Sequence, residues 1–355
     1  WGRVQRTVQA SQAQAQATLI DLAVVSQTVA ADVAVNYFNL RLLDAQDQIF
    51  RRNIDLYRDQ LKLSQTQFDA GLVGPTDILQ VQTLLEATQA QAIDLRRQRA
   101  DLEHALAILL GQPPAEFTLK PRPPDAKEGQ METVTGGGGG LVVPPGLPAD
   151  LLRRRPDVAE AEQNLVAANA QIGIAKANYY PVVQLTGVAG FESIDMQHVV
   201  DWQSRIWSLG PSVSVPIFEG GKLDANLQQA KARYEELTAI YRGSVLKAFG
   251  EVEDSLTDLH LRSDAAVAQA RAVKAAREYL RLARLQYQQG LVNNLVVIDA
   301  DRTLLTNELA ALQIQSQRLV STVLLFKALG GGWDAQNPAP TPAGTSAGTQ
   351  GNVAP

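Results

Sequence analysis

Two stretches of this sequence run far longer than ordinary secondary structure without a breaker. Residues 3–68 contain neither Pro nor Gly, and residues 222–288 contain no Pro and only Gly243 and Gly250. As α-helices each would reach about 100 Å at 1.5 Å per residue, where an average globular helix has about 12 residues. In the second stretch Leu223, Leu227, Ala230, Tyr234, Leu237 and Tyr241 step by four and three, the spacing of a coiled-coil seam. Many seam positions are Ala, Ser or Gln, which suits close helix approach more than a thick apolar core.

Both stretches end on the same punctuation, FDAGLVGPTDIL at 68–79 and YQQGLVNNLVVI at 287–298. Gly71-Leu72-Val73 aligns with Gly290-Leu291-Val292 at an offset of 290 − 71 = 219. The same offset carries Gly2-Arg3-Val4 onto Gly221-Lys222-Leu223, and Leu110-Gly111 onto Leu329-Gly330. Between these anchors Val33 meets Val252, Leu40 meets Leu259 and Leu61 meets Leu280 without a gap. Three anchors at one offset make residues 2–111 and 221–330 two copies of one unit, a helix–turn–helix. The shorter return helices are expected over 76–110 and 294–329, with Thr76 and Asn294 as N-caps and Asp77 in a first turn. Pro75 cannot continue the incoming helix.

The segment between the copies changes character twice. Residues 113–155 hold PPAEF, PRPPD, five consecutive glycines at 136–140 and VVPPGLP, the composition of an irregular linker. A third helix is expected over 156–178, opened by Pro156, with Val158, Ala161, Leu165, Ala168, Ile172 and Ala175 at three-four spacing. At about 35 Å it is long enough to stack end to end on the first short helix. The triplet Arg153-Arg154-Arg155 before it reads as a solvated or equatorial-zone structural feature, or as a contact to another protomer.

Residues 179–218 then switch to period two. In IWSLGPSVSVPIF (206–218), Trp207, Leu209, Pro211, Val213, Val215 and Ile217 alternate with Ser208, Gly210, Ser212 and Ser214. A strand with one apolar and one small polar face has the pattern of a membrane β-barrel, lipid outside and lumen inside. YPVVQLTGVAGF (180–191) is its less regular partner, with 192–205 as their loop. One hairpin cannot span a bilayer, because its edges would be unsatisfied in lipid, so it must join other strands. The second copy is preceded by this hairpin and the first is not, which leads us to expect further strands and an export signal upstream of Trp1.

Composition excludes several function classes. The formal net charge of −5 and 6% aromatic content give no basic footprint for nucleic acid. The absence of cysteine excludes disulfides and thiolate metal sites. His104, His198 and His260 have no metal-ligand spacing. No uninterrupted apolar run reaches the 18 or so residues of a membrane helix. No catalytic triad, phosphate loop or paired catalytic carboxylates occur at meaningful spacing, so neither an enzyme nor a cofactor is expected. Residues 334–355, rich in Pro, Thr, Gly and Ala, carry no motif and are expected to be disordered.

The run DLLRRRPDVAEAEQNLVAANAQIGIAKANYYP, the junction VPIFEGGK, and the paired GLV turns followed by TDIL and VVIDADR resemble the outer-membrane factor family. These are the TolC- and OprM-like exit ducts of tripartite efflux systems, and the Leu-Leu-x-x-Arg-Pro-Asp stretch resembles the OprM-like (NodT) branch. The resemblance, over about residues 1–333, implies a homotrimer in the bacterial outer membrane. Four strands per protomer would form a 12-stranded β-barrel, continued by a long periplasmic α-helical barrel. It implies a lipidated N-terminus, outer-membrane lipid, a periplasmic adaptor and an inner-membrane pump as partners, and export of drugs or small molecules. It also implies that residues 219–333 supply the inner helix pair of a periplasmic gate. Carried over by position, Tyr287 links to Asp77, while Leu295, Asp299 and Arg302 line the aperture on one helix face at i, i+4 and i+7. A three-fold ring of Asp299 carboxylates would favour cations. Val296 stands where similar proteins often place an aperture Asp. The tips Gly71, Leu72, Val73, Gly290, Leu291 and Val292 would meet the adaptor. A bland reading stands beside each site: Asp77 as a helix N-terminal charge, Tyr287 and Phe68 as turn packing, Asp299 and Arg302 as solvated helix residues. Two other functions share parts of the pattern, a soluble periplasmic coiled-coil adaptor or scaffold and a protein-secretion duct of the same build. The Ser/Gly-faced hairpin favours a membrane channel over the adaptor.

Overall fold

A computed structural model describes residues 1–121, 154–194, 196–331 and 333. Most of the proline- and glycine-rich linker, the Arg153 position and the tail from 334 onward lie outside the described residues. The elements are α1 (Arg3–Asp69), α2 (Pro75–Leu109), α3 (Pro156–Ala177), β1 (Val182–Phe191), β2 (Arg205–Ser214), α4 (Lys222–Gln288) and α5 (Asn294–Ala328). Two single 3-10 turns, Met196–His198 and Trp202–Ser204, lie in the β1–β2 connection.

The repeat is exact at the level of elements. Helices α1 and α4 each have 67 residues, and α2 and α5 each have 35. Both pairs start and stop 219 residues apart (222 − 3, 288 − 69, 294 − 75, 328 − 109). The expected N-caps shift by one or two residues. Gly74 and Asn293 are the N-caps, and Thr76 and Asn294 are already helical. Proline explains the first shift: with no N–H to satisfy and φ preset, Pro75 takes the first helical position and pushes the cap back to Gly74. Asp77 is then the third residue and accepts the Gly74 N–H at 3.3 Å.

The chain divides into two contact units that cut across the repeats. The first comprises residues 1–23 and 156–247, with α3, the strands and the adjoining parts of α1 and α4. Of the expected α3 stripe, Val158, Ala168 and Ala175 are buried, and Ala161, Leu165 and Ile172 are half-buried. All six seam residues of α4 from Leu223 to Tyr241 are half-buried. Small residues let these helices approach closely, and Gly173 lies against the Arg6 side chain. In the same unit Trp1 stacks on Tyr180 with ring centroids 5.5 Å apart, and its indole N–H donates to the Pro181 carbonyl.

Strands β1 and β2 pair antiparallel from Val182↔Ser214 to Phe191↔Arg205. Each has 10 residues, so β2 begins and ends earlier than its alternation suggests. Prolines set the limit. Continuing the register would oppose Val215 to Pro181, and the next residue is Pro216, so the ladder loses donors on both strands. The register sorts the less regular strand too. Val183, Leu185, Gly187, Ala189 and Phe191 share the face of Trp207, Leu209, Pro211 and Val213, with Arg205 at its loop end. Gln184, Thr186 and Gly190 share the other with Ser208, Gly210, Ser212 and Ser214, along with Val182, Val188 and Ile206. Every residue of both strands is exposed.

Among the described residues the second unit comprises 24–121, 154–155, 248–331 and 333. Its largest cluster joins Leu43, Phe50, Ile54 and Tyr57 of α1 to Leu85, Ala92 and Leu95 of α2, a seven-four-three knob pattern. Leu309 of α5 packs on this cluster and so ties the second copy to the first. Leu280 and Ala283 of α4 meet Val297 and Ala300 of α5 in the second copy. Arg155 is buried, which sets aside the solvated alternative and leaves the structural one. Its guanidinium donates to the Ala328 carbonyl at 3.0 Å and to Glu251 at 2.7 Å, a cation at the C-terminal end of α5. The expected absence of a membrane-length apolar segment does not hold for α1. Within α1, 18 residues are apolar enough by length and composition to cross a membrane, although few are buried.

Candidate gate and tip elements

Each long helix ends by the same local chemistry. The Gly71 N–H donates to Phe68 O at 2.8 Å, and the Leu72 N–H to Gln67 O at 2.8 Å. In the second copy Gly290 donates to Tyr287 O and Leu291 to Gln286 O, both at 2.9 Å. These paired bonds need a left-handed residue at the glycine, and both glycines have φ +72°. Leu72 and Leu291 are left 74% and 70% exposed at the tips, while Val73 and Val292 are half-buried.

The residues expected at the gate are distributed as follows. The Tyr287 hydroxyl donates to Gln67 Oε1 at 3.3 Å, tying the end of α4 to the end of α1. Asp77 is engaged by the Gly74 N–H, the helix-terminal role weighed for it above. Within this chain Tyr287 and Asp77 therefore hold other partners. Leu295, Asp299 and Arg302 are all exposed on one face of α5. Tyr279 of α4 donates to Asp299 Oδ2 at 3.5 Å, the long limit of a hydrogen bond.

Sequence reasoning missed the groups beneath that stripe. Asp301 and Glu308, seven residues apart on α5, are buried carboxylates. Arg284 and Arg277, also seven apart on α4, reach them at 3.4 and 2.9 Å. Arg52 of α1 also bridges to Glu308, so one carboxylate joins the two copies. Tyr57 is buried beside Asp301, and the two line one cavity of about 250 Å³ with Gln60, Ser64 and Asn294. Burial and the Asp301 charge push the Tyr57 hydroxyl well above the usual tyrosine range. Gln60 donates to Asn294 Oδ1 at 2.6 Å, a second tie between α1 and α5. The offset of 219 places Gln82 and Gln89 where the second copy has Asp301 and Glu308. Acidic residues on a half-apolar helix stripe were the available signal.

Comparison with known proteins matches this tandem helix–turn–helix over most of its length. The outer membrane efflux protein family model covers residues 1–112 and 147–331. The chain belongs to the outer membrane efflux protein family. It is 36% identical over 302 residues to the solvent efflux pump outer membrane protein SrpC of Pseudomonas putida, an alignment covering 85% of this chain and 62% of SrpC. To the outer membrane protein OprJ of Pseudomonas aeruginosa it is 36% identical over 269 residues, covering 75% of this chain and 53% of OprJ. The chain thus spans about three-fifths or less of the length of these relatives. The structure superimposes on the outer-membrane channel OprN with a TM-score of 0.85 at 32% identity, over 94% of this chain and 73% of that one. The relatives and the structural neighbour it resembles are named as outer membrane proteins and as an outer-membrane channel.

Proposed function

We propose that the full-length protein is the outer-membrane exit duct of a tripartite efflux pump, a passive conduit gated at its helix tips. The observation that carries this reading is the β1–β2 hairpin. It has one apolar and one mainly small polar face, with all residues exposed and both outer edges unpaired among the described residues. Such a hairpin is stable in lipid only when further strands close it into a barrel, here as a homotrimer contributing 12 strands. The paired long helices supply the periplasmic tube, and the exposed Leu72 and Leu291 tips are the surface for a periplasmic adaptor coupled to an inner-membrane pump. SrpC is named for solvent efflux, which points to small-molecule cargo, and OprN is named as an outer-membrane channel.

In this reading Leu295, Asp299 and Arg302 face the aperture, and Tyr287 and Asp77 restrain the inner helix pair in the closed duct. Planar-bilayer recording of the full-length protein tests both parts. Discrete channels are expected, with higher conductance for Tyr287→Phe combined with Asp77→Ala. Unchanged conductance in the double variant would sink the gate assignment, and a protein that stayed soluble and formed no channels would sink the conduit.

A further inference from the structure

Along the face of α5 that carries Asp301 and Glu308 lies a groove of about 720 Å³, floored by α5 and walled by α1 and α4. We propose that this groove binds small anionic amphiphiles, molecules with a carboxylate or sulfonate head on a compact apolar body. Its volume lies in the range of small-molecule sites. Ile49, Val273, Ala311 and Leu312 give it an apolar lining. Four cations, Arg52, Lys274, Arg277 and Arg281, stand over that lining against two carboxylates, Glu278 and Glu308.

Fold stability alone does not account for this charge. Glu308 is already shared by Arg52 and Arg277, and Arg281 is paired with Glu278 at 2.7 Å. Lys274 has no ion partner among the described residues, yet it lies with Arg277 and Arg281 at i, i+3 and i+7 on one face of α4. Like charges so spaced destabilise a helix by a few tenths of a kcal/mol per pair. An anion seated between them removes that repulsion and adds charge-assisted hydrogen bonds. The first copy is the internal control. At the offset of 219, Arg58 and Lys62 match Arg277 and Arg281, but Asp55 replaces Lys274 and Gln89 replaces Glu308, so the Lys274 charge and the buried carboxylate are specific to the second copy.

The site is tested by calorimetry on full-length protein in phosphatidylcholine nanodiscs, with empty nanodiscs subtracted. Three naphthalene probes share one body: the 2-sulfonate, the neutral 2-methanol and the cationic 2-methylammonium. The sulfonate should bind saturably and at least about tenfold more tightly than the other two, the equivalent of one charge-assisted hydrogen bond. Lys274→Glu with Arg281→Glu, both exposed positions, should abolish that preference without changing the helical circular dichroism. Glu308→Gln should tighten sulfonate binding, because the buried carboxylate no longer competes for Arg52 and Arg277. Equal affinity for the three probes, or sulfonate binding indifferent to the double charge reversal, would overturn the proposal. Channel recording is a separate measurement, so failure of the site and failure of the conduit reading are distinguishable.

Discussion

Gly71 and Gly330 occupy the same left-handed region, with φ +72° and +97°, but for different surroundings. A Cβ added at Gly71 would meet nothing within 4 Å, whereas at Gly330 it would lie 2.1 Å from the Arg154 carbonyl oxygen. Gly71→Ala should therefore cost only the conformational penalty, about 1–2 kcal/mol. Gly330→Ala adds a backbone clash of about 1–3 kcal/mol and should displace the segment that carries Arg155. Thermal unfolding of full-length protein followed by circular dichroism should show a small fall in Tm for the first and a much larger one for the second. Equal falls would mean that the Arg154–Gly330 contact is dispensable. The glycines themselves were legible, because a recurring Gly after a long helical run has one strong local meaning. Which of them abuts another part of the chain was not, because Arg154 and Gly330 are 176 positions apart (330 − 154).

At the scale of elements, the long helices could be read almost to the residue from the absence of breakers, and the repeat supplied their pairing. Their buried charges could not, because a carboxylate on a half-exposed helix looks the same in sequence whether solvent or an arginine covers it. Asp44 and Glu308 separate the two kinds of clamp. Asp44 of α1 is reached by Arg99 of α2 at 2.7 Å and by Arg41 at 2.8 Å, and both arginines are less than a fifth exposed. Those arginines also donate to the Leu119 and Lys120 carbonyls and so hold the chain after α2. Asp44→Ala would strand the nearly buried Arg41 guanidinium and leave Arg99 with Glu103 as its remaining carboxylate, at 2.7 Å, and should cost about 3 kcal/mol. Glu308→Ala frees Arg52 and Arg277, whose side chains are 40% and 64% exposed and can return to water. Its cost should stay near about 1 kcal/mol. Urea unfolding midpoints of the two variants decide the order. A larger loss for Glu308→Ala would make the link between the two copies, not the link within the first, the stronger clamp.

For the molecule as a whole, the question is what the β1–β2 hairpin faces, since every residue of both strands is exposed among the described residues. The period-two pattern announced the two faces, and the proline positions explain why the ladder is shorter than the pattern. What the pattern could not supply was the register that aligns Leu185 with Pro211 and Val183 with Val213, which turns two half-regular strands into one apolar sheet face. If that face meets lipid, a charge placed there must be carried into hydrocarbon, while a charge on the Ser/Gly face remains in water. Leu209→Lys should then cost about 2–4 kcal/mol of insertion free energy near the bilayer midplane, and Ser212→Lys, on the opposite face, should cost little. The measurement is the fraction of full-length protein that folds into lipid vesicles and resists extraction from them. A face-dependent loss is expected with Leu209→Lys alone affected. The same loss from both substitutions would mean that both faces are buried in protein. No loss from either would mean that the hairpin stays in water, leaving the soluble scaffold as the better description of the chain.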